Sequence, residues 1–233
     1  MSELSLDIDP LATILPLDWK ENTILLQNVV ATATFNRSVD LDEFAWRFKG
    51  EFAPSVFAAT QIKLKHPPVT GLVFSTGKLV ITGAFSESSA FVHIHTFYNM
   101  LMQVHPDIVI KSAQIQNLVA NTQLRKFIRI DALAKAYPIS THYAPSLFPG
   151  LRFKLHDPKS KALIFVKGRI VLTGCSNRAD VIRAYQQIMA IVEPFCSDEE
   201  VKHEHIATAI EANKKQRIRE EDEEDGDDEE DVF

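Results

Sequence analysis

One stretch of this chain occurs twice, and that duplication limits the fold more than any other feature. Leu72-Val-Phe-Ser-Thr-Gly-Lys-Leu-Val-Ile-Thr-Gly83 returns as Leu163-Ile-Phe-Val-Lys-Gly-Arg-Ile-Val-Leu-Thr-Gly174. Identical residues fall at Leu72/Leu163, Phe74/Phe165, Gly77/Gly168, Val80/Val171, Thr82/Thr173 and Gly83/Gly174, all at the offset 163 − 72 = 91. Phe57/Phe148, Lys63/Lys154 and Pro67/Pro158 hold the same register upstream. A second block, Leu26-Gln-Asn-Val-Val30 against Ile115-Gln-Asn-Leu-Val119, repeats at 116 − 27 = 89. A repeat of about ninety residues is longer than a solenoid unit and has the size of a half-domain.

Each copy predicts a β-hairpin, two short apolar runs around a glycine able to take the positive φ of a tight turn. Side chains alternate along a strand, so Leu72 and Phe74 share one face and Val73 and Ser75 the other. After the turn, Val80 and Thr82 share a face, opposite Leu79 and Ile81. Both faces are apolar, unlike a sheet with one solvated side. Either helices cover both faces, or one face awaits an apolar partner.

The 233 residues allow one or two domains with a sizeable core. No apolar run is long enough to span a bilayer, and no basic-then-apolar leader opens the sequence. Cys175 and Cys196 are too few for a disulfide framework or a zinc site, and predict reduced, intracellular thiols. The net charge of −6 sums unlike pieces: −4 over residues 1–21, +9 over 22–196 and −11 over 197–233. A basic body suits a polyanion.

Four segments follow: an acidic-hydrophobic tail (1–21), two repeats (22–110 and 111–196), and a C-terminal helix with an acidic tail (197–233). The first segment is either a flexible tail or a docking segment for a partner or the chain's own groove. In the first repeat we expect a strand at 24–35 and a short helix opened by Asp40-x-x-Glu43. Leu41, Phe44, Ala45 and Phe48 would pack that helix. Strands near 56–65, 71–76 and 79–82 and a helix from Ser86 to Val104 would follow, with Ala90, Ile94, Phe97, Leu101 and Val104 as its apolar stripe. His93 and His95 are expected to be solvated or capping. The second repeat predicts strands near 113–122, 148–156, 162–166 and 170–173. Its helices fall near 131–137 and at Asn177–Val192, the latter burying Val181, Ala184, Ile188 and Ile191. A further helix should start at Ser197. The eleven acids between Glu220 and Asp231 repel one another and predict disorder, serving either solubility or charge masking of the basic body.

The Gln-Asn-(Val/Leu)-Val pair, Phe57-Ala, the two hairpins and Leu147-Phe-Pro-Gly-Leu151 together resemble the TATA-binding protein core over roughly residues 24–196. The resemblance implies an α+β fold in which two pseudosymmetric repeats form a saddle. Its curved, ten-stranded antiparallel sheet would carry helices on the convex face. It also implies a transcription initiation factor that bends A·T-rich DNA through the minor groove, in a family that is itself a standing example of such bending. Phe57 with Phe74, and Phe148 with Phe165, would be the intercalating wedges. Asn28 and Asn117 would donate to base acceptors near the pseudodyad, joined by Thr82 and Thr173. Val30, Val80, Val119 and Val171, with Leu72 and Leu163, would line the bases and exclude the guanine amino group. Gln27, Lys63, Lys78, Gln116, Lys154 and Arg169 would meet phosphates.

Implied partners are A·T-rich duplex DNA, general transcription factors of the IIA and IIB kind, TBP-associated factors and, through them, RNA polymerase. A DNA-free homodimer is a further expectation, the expected location is the nucleus, and no cofactor, metal or membrane is implied. Departures alter some contacts. Ser88–Val104 carries no Lys or Arg where typical members meet factor IIA. Ala144 and Ser146 replace the glutamates that dock factor IIB. Val56, Phe85 and Ser176 replace usual basic residues, which implies weaker DNA affinity.

No nucleophile elbow, phosphate loop or metal-ligand spacing points to an enzyme, and His203-Glu-His205 lacks the spacing of a zinc protease. The competing class is a protein-interaction scaffold that keeps the saddle without reading TATA DNA.

Overall fold

The computed structural model describes residues 24–199, together with the backbone of a two-residue strand β1 (Ile14–Leu15). The expected C-terminal helix and acidic run, and the rest of the N-terminal segment, lie outside the described residues.

The first repeat runs β2 (Ile24–Phe35), α1 (Leu41–Phe48), β3 (Ala59–Lys65), β4 (Pro68–Phe74), β5 (Lys78–Ala84) and α2 (Glu87–Met102). The second runs β6 (Ile110–Gln123), β7 (Phe127–Ile128), α3 (Ile130–Ala136), β8 (Thr141–His142), β9 (Leu151–His156), β10 (Lys159–Ile164), β11 (Arg169–Cys175) and α4 (Arg178–Val192). A 3-10 turn at Glu193–Phe195 leads into β12 (Cys196–Ser197), which pairs with β7. The main sheet is antiparallel in the order β3-β4-β5-β2-β6-β11-β10-β9-β8, with β1 as a tenth strand against β2. The fold is thus α+β and folds back on itself about the β2–β6 pair.

Ten strands are reached unevenly. In the second repeat β8 pairs with β9 through His142↔Arg152. The matching residues of the first repeat form only an isolated bridge, Glu51↔Gln61. Register shifts interrupt β2–β5, β2–β6 and β6–β11, and such bulges add bend and twist.

Capping explains the starts of α1, α2 and α4. The side chains of Asp40, Ser86 and Asn177 accept from the backbone N–H of Glu43, Ser89 and Asp180, each satisfying a donor that the first turn leaves unpaired. Gly77 and Gly168 take φ of 78° and 81° in the hairpin turns. A Cβ there would strike the carbonyl oxygens of Arg37 and Lys126.

The helices cover one sheet face. Val73, Leu79 and Ile81 are fully buried, as are Ile164, Ile170 and Leu172 in the second repeat. Phe97 of α2 lies on the backbone of Gly71, where a Cβ would fall 2.2 Å from the ring. The matching positions in the second repeat hold Ile188 and Ala162, both fully buried: a smaller helix residue goes with a larger strand residue, so the summed side-chain volume changes little.

Three side chains differ from expectation. His93 is buried at 4% exposure with neither ring nitrogen hydrogen-bonded, so it is a core residue rather than a solvated or capping one. Desolvation holds its pKa below the ordinary 6.5. Ile191 is only partly buried on α4, whose inner face is completed by Tyr185, Met189 and Val192. Val104 lies beyond the end of α2, whose last helical residue is Met102.

The helix N-termini of the two repeats meet. Arg178 donates to both carboxylate oxygens of Glu87 at 2.8 Å. The two residues stand 91 apart, so one repeat position holds opposite charges in its two copies. This pair joins the halves on the helix side, as β2–β6 joins them through the sheet.

Candidate nucleic-acid interface

The side of the sheet away from the helices carries the residues singled out in the sequence. Along both hairpins the buried positions alternate with Leu72, Phe74, Val80, Thr82, Leu163, Phe165, Val171 and Thr173, all left partly exposed. Strand pairing sets them side by side: Leu72↔Val80 and Thr70↔Thr82 in one half, Leu163↔Val171 and Lys161↔Thr173 in the other. At the centre, Asn28↔Val119 and Val30↔Asn117 pair across β2–β6. Both asparagines and both valines therefore converge where the halves join.

The asparagines are held in one orientation. The backbone N–H of Gly83 donates to Asn28 Oδ1 at 2.7 Å, and that of Gly174 donates to Asn117 Oδ1 at the same distance. The Nδ2 groups contact the hydroxyls of Thr82 at 3.4 Å and Thr173 at 3.1 Å. With each oxygen occupied by a main-chain donor, the amide nitrogen is the group left to bond a ligand. That NH2 has two hydrogens, and at most one is used by the threonine. Each repeat thus offers one fixed donor, suited to a ligand surface of acceptors.

The phenylalanines form two pairs at the ends of the sheet. Phe57 meets Phe74 with ring centroids 6.1 Å apart and planes at 67°; Phe148 meets Phe165 at 5.8 Å and 66°. Edge-to-face contact holds each ring at a defined angle. Phe57 is 46% exposed, too much for a core residue, and Phe74, Phe148 and Phe165 are each partly exposed. In the second half a Cβ on Gly150 would lie 2.7 Å from Phe148 and 2.9 Å from Phe165. The bare backbone there lets both rings settle on it. Val56 and Leu147, which precede Phe57 and Phe148, are 85% and 84% exposed.

The cationic residues do not match between halves. Lys63 is 3.3 Å from the carboxylate of Glu51 in an exposed ion pair, so part of its charge is met within the chain. Lys154, its counterpart, has no carboxylate within ion-pair range among the described residues. It lines a depression of about 530 Å³ together with Asn117, Lys161 and Thr173. Lys78 and Arg169 open β5 and β11, both exposed. Gln27 is exposed, whereas Gln116 donates to the Thr32 hydroxyl at 2.9 Å and so bridges β2 and β6.

Two residues escaped the sequence reading. Arg152 holds its guanidinium 5.4 Å from the centre of the Phe148 ring, a cation–π contact that orients the ring. Lys161 adds a second cation beside Lys154, paired across β9–β10. Their first-half counterparts are Gln61 and Thr70. The signal lay in the offset of 91 itself, read for where the copies differ rather than where they agree.

A family model described as "Transcription factor TFIID (or TATA-binding protein, TBP)" matches residues 23–104 and 112–195. The TATA-box-binding protein of Candida albicans is 34% identical over 171 residues, 73% of this chain and 72% of that protein. The TATA box-binding protein-like 2 of Rattus norvegicus is 35% identical over 171 residues, covering half of its own length. Among solved structures, Methanococcus jannaschii TBP superposes with a TM-score of 0.64 at 32% identity, over 73% of this chain and 98% of that one.

Proposed function

Because the chain belongs to the TATA-binding protein family, we propose that it binds and bends A·T-rich promoter DNA through the minor groove and so nucleates assembly of a transcription pre-initiation complex. Membership makes it a non-enzymatic DNA-binding factor; the choice of DNA and the bending are our reading. The observation that carries it is the fixed donor at each repeat, Asn28 and Asn117, set between two ring pairs on an apolar face that no helix covers among the described residues.

The chemistry follows from the groove. A·T pairs show only acceptors in the minor groove, adenine N3 and thymine O2, whereas G·C pairs add the guanine amino group. The NH2 groups of Asn28 and Asn117 complement the acceptors. Val30, Val80, Val119 and Val171 offer the amino group no partner, so burying it there costs a lost hydrogen bond. Leu72 and Leu163 extend the same greasy floor. Opening the groove unstacks base steps at a cost of about a few kcal/mol each, which inserted side chains offset. Phe57 with Phe74 and Phe148 with Phe165 would enter such steps. Lys78, Lys154 and Arg169 would meet phosphates, aided by Gln27 and, once released, by Lys63 and Gln116.

General transcription factors are the proposed partners and the nucleus the proposed location. Contacts on α2 would be rebuilt, since its outward face presents Phe91 and Val92 and no cation between Ser88 and Met102. That apolar helix is the observation favouring the alternative, a protein-interaction scaffold.

A gel-shift comparison of an A·T-rich duplex with its G·C-substituted twin tests the reading. Preferential binding to the first, with end-labelled DNA shortened by bending, is expected. Equal or absent binding to both would leave the scaffold.

A further inference from the structure

We infer that the acidic run Glu220–Asp231 of this same chain is a second occupant of the open face, docking on the basic row of the second half and competing there with DNA. The competition rests on the DNA-binding reading above; the docking rests on charge and chain geometry alone.

The row consists of Arg152, Lys154, Lys161, Lys167 and Arg169. None of them has a carboxylate within ion-pair range among the described residues. Three acids of this half are directed elsewhere: Asp157 and Asp180 both meet Arg183, and Asp198 meets Lys126. The first half offers no equal target, because its Lys63 is already paired with Glu51 and Thr70 stands where Lys161 does.

The chain also leaves the body next to this row. β12 pairs with β7 through Cys196↔Ile128 and Ser197↔Phe127. Ile128 in turn donates to the Val166 carbonyl at 2.8 Å. Gln123 donates to the Lys167 carbonyl at 2.6 Å, and Lys126 lies 3.7 Å from Asp198. The last described residues therefore lie beside the β10–β11 turn that carries Lys167. From that turn, Lys161 is six residues back along one strand, about 20 Å at the usual rise. Residues 200–219 connect the body to the acidic run. They reach about 30 Å even when helical and farther when extended.

The charge fits as well. The run holds eleven acids, and the four cations just before it, Lys214, Lys215, Arg217 and Arg219, cannot neutralise them. A tethered polyanion acts at an effective concentration on the order of millimolar, and its attraction to exposed lysines fades as salt shortens the Debye length. The proposal makes DNA binding weakest at low salt relative to a tail-less chain, the reverse of a purely solubilising role.

Two measurements separate this inference from the function it builds on. In the first, the DNA-free full chain is treated with a zero-length carbodiimide cross-linker and analysed by mass spectrometry. Links from residues 220–231 to Lys154, Lys161 and Lys167 are expected. Links confined to Lys214 and Lys215, or spread equally over Lys63, Lys65 and Lys78, overturn the docking. In the second, anisotropy with an A·T-rich duplex compares the full chain with one ending at Arg219 and with a full-length form whose eleven acids are amides. Both altered forms should bind roughly tenfold tighter at about 50 mM salt, the gap closing near 300 mM. Equal affinity at low salt overturns the competition. If no form binds duplex while the cross-links persist, the docking stands and the DNA reading falls.

Discussion

The two halves share a backbone plan and divide in their chemistry. Each has its Asn–Gly clamp, its ring pair, its capped long helix and its glycine turn. The second half adds Arg152 over Phe148, a free Lys154 and Lys161, and a glycine that lets both rings rest on the main chain. The first half has Gln61, a Lys63 tied to Glu51, and Thr70. Duplication thus preserved what a twofold-like ligand requires, and divergence moved the cationic charge to one end. A duplex bound to such a face would be gripped unevenly, with the second half holding the phosphates more tightly.

Removing the rings probes this contrast most strongly. Phe148→Ala with Phe165→Ala should weaken duplex binding by roughly a hundredfold, the scale of losing two stacked aromatics, and abolish bending at that end. Phe57→Ala with Phe74→Ala should cost less, because among the described residues no cation stacks on that pair. Anisotropy and end-to-end energy transfer read both effects; an equal or larger loss from the first half would break the asymmetry.

Charge comes next. Lys154→Gln with Lys161→Gln should lower the slope of log affinity against log salt by about 2. Lys63→Gln should change it little, and Glu51→Gln should raise it by up to about 1 by releasing Lys63. Equal slopes for the two lysine sets would show that the Glu51 pairing does not persist in solution.

The helix-side joint gives a smaller effect. Glu87→Gln should cost about 1 kcal/mol, since the bidentate pair is partly exposed. The hydrogen bond from Arg178 holds the Glu87 pKa below the ordinary 4.5. The contribution is therefore complete above about that pH and lost as pH falls through the lower folded value. Melting curves of the two forms should converge in acid, and the exchange Glu87→Arg with Arg178→Glu should recover much of the loss.

His93 gives the smallest change. Burial depresses its pKa, so the unfolded chain binds the proton more readily and stability drops as pH falls below about 6.5. His93→Leu should remove that decline and add on the order of 1 kcal/mol at neutral pH, by deleting two unpaired ring nitrogens. A decline that survives the substitution assigns it to another group.

Much of this was legible in the residues. The strand at Ile24–Phe35, the caps Asp40, Ser86 and Asn177, and both hairpins follow from local rules of periodicity and capping, which act within a few residues. The proposed site residues were named through the family resemblance, and the shared offset showed which positions of the two halves correspond. What stayed hidden depended on partners distant in sequence. Glu51 meets Lys63 only because a bridge to Gln61 brings Glu51 beside the β3 strand. His93 reads as polar on a helix whose inner face extends one position farther than its stripe suggests.

By itself the sequence determined that there are two half-domains, what each is built from and which positions correspond, since duplication writes the same local instructions twice. Only the tertiary structure decided that the halves are unequal. Charge compensation, ring orientation and the amide direction of Asn28 and Asn117 arise between strands, where distances of a few ångströms separate a free cation from a paired one.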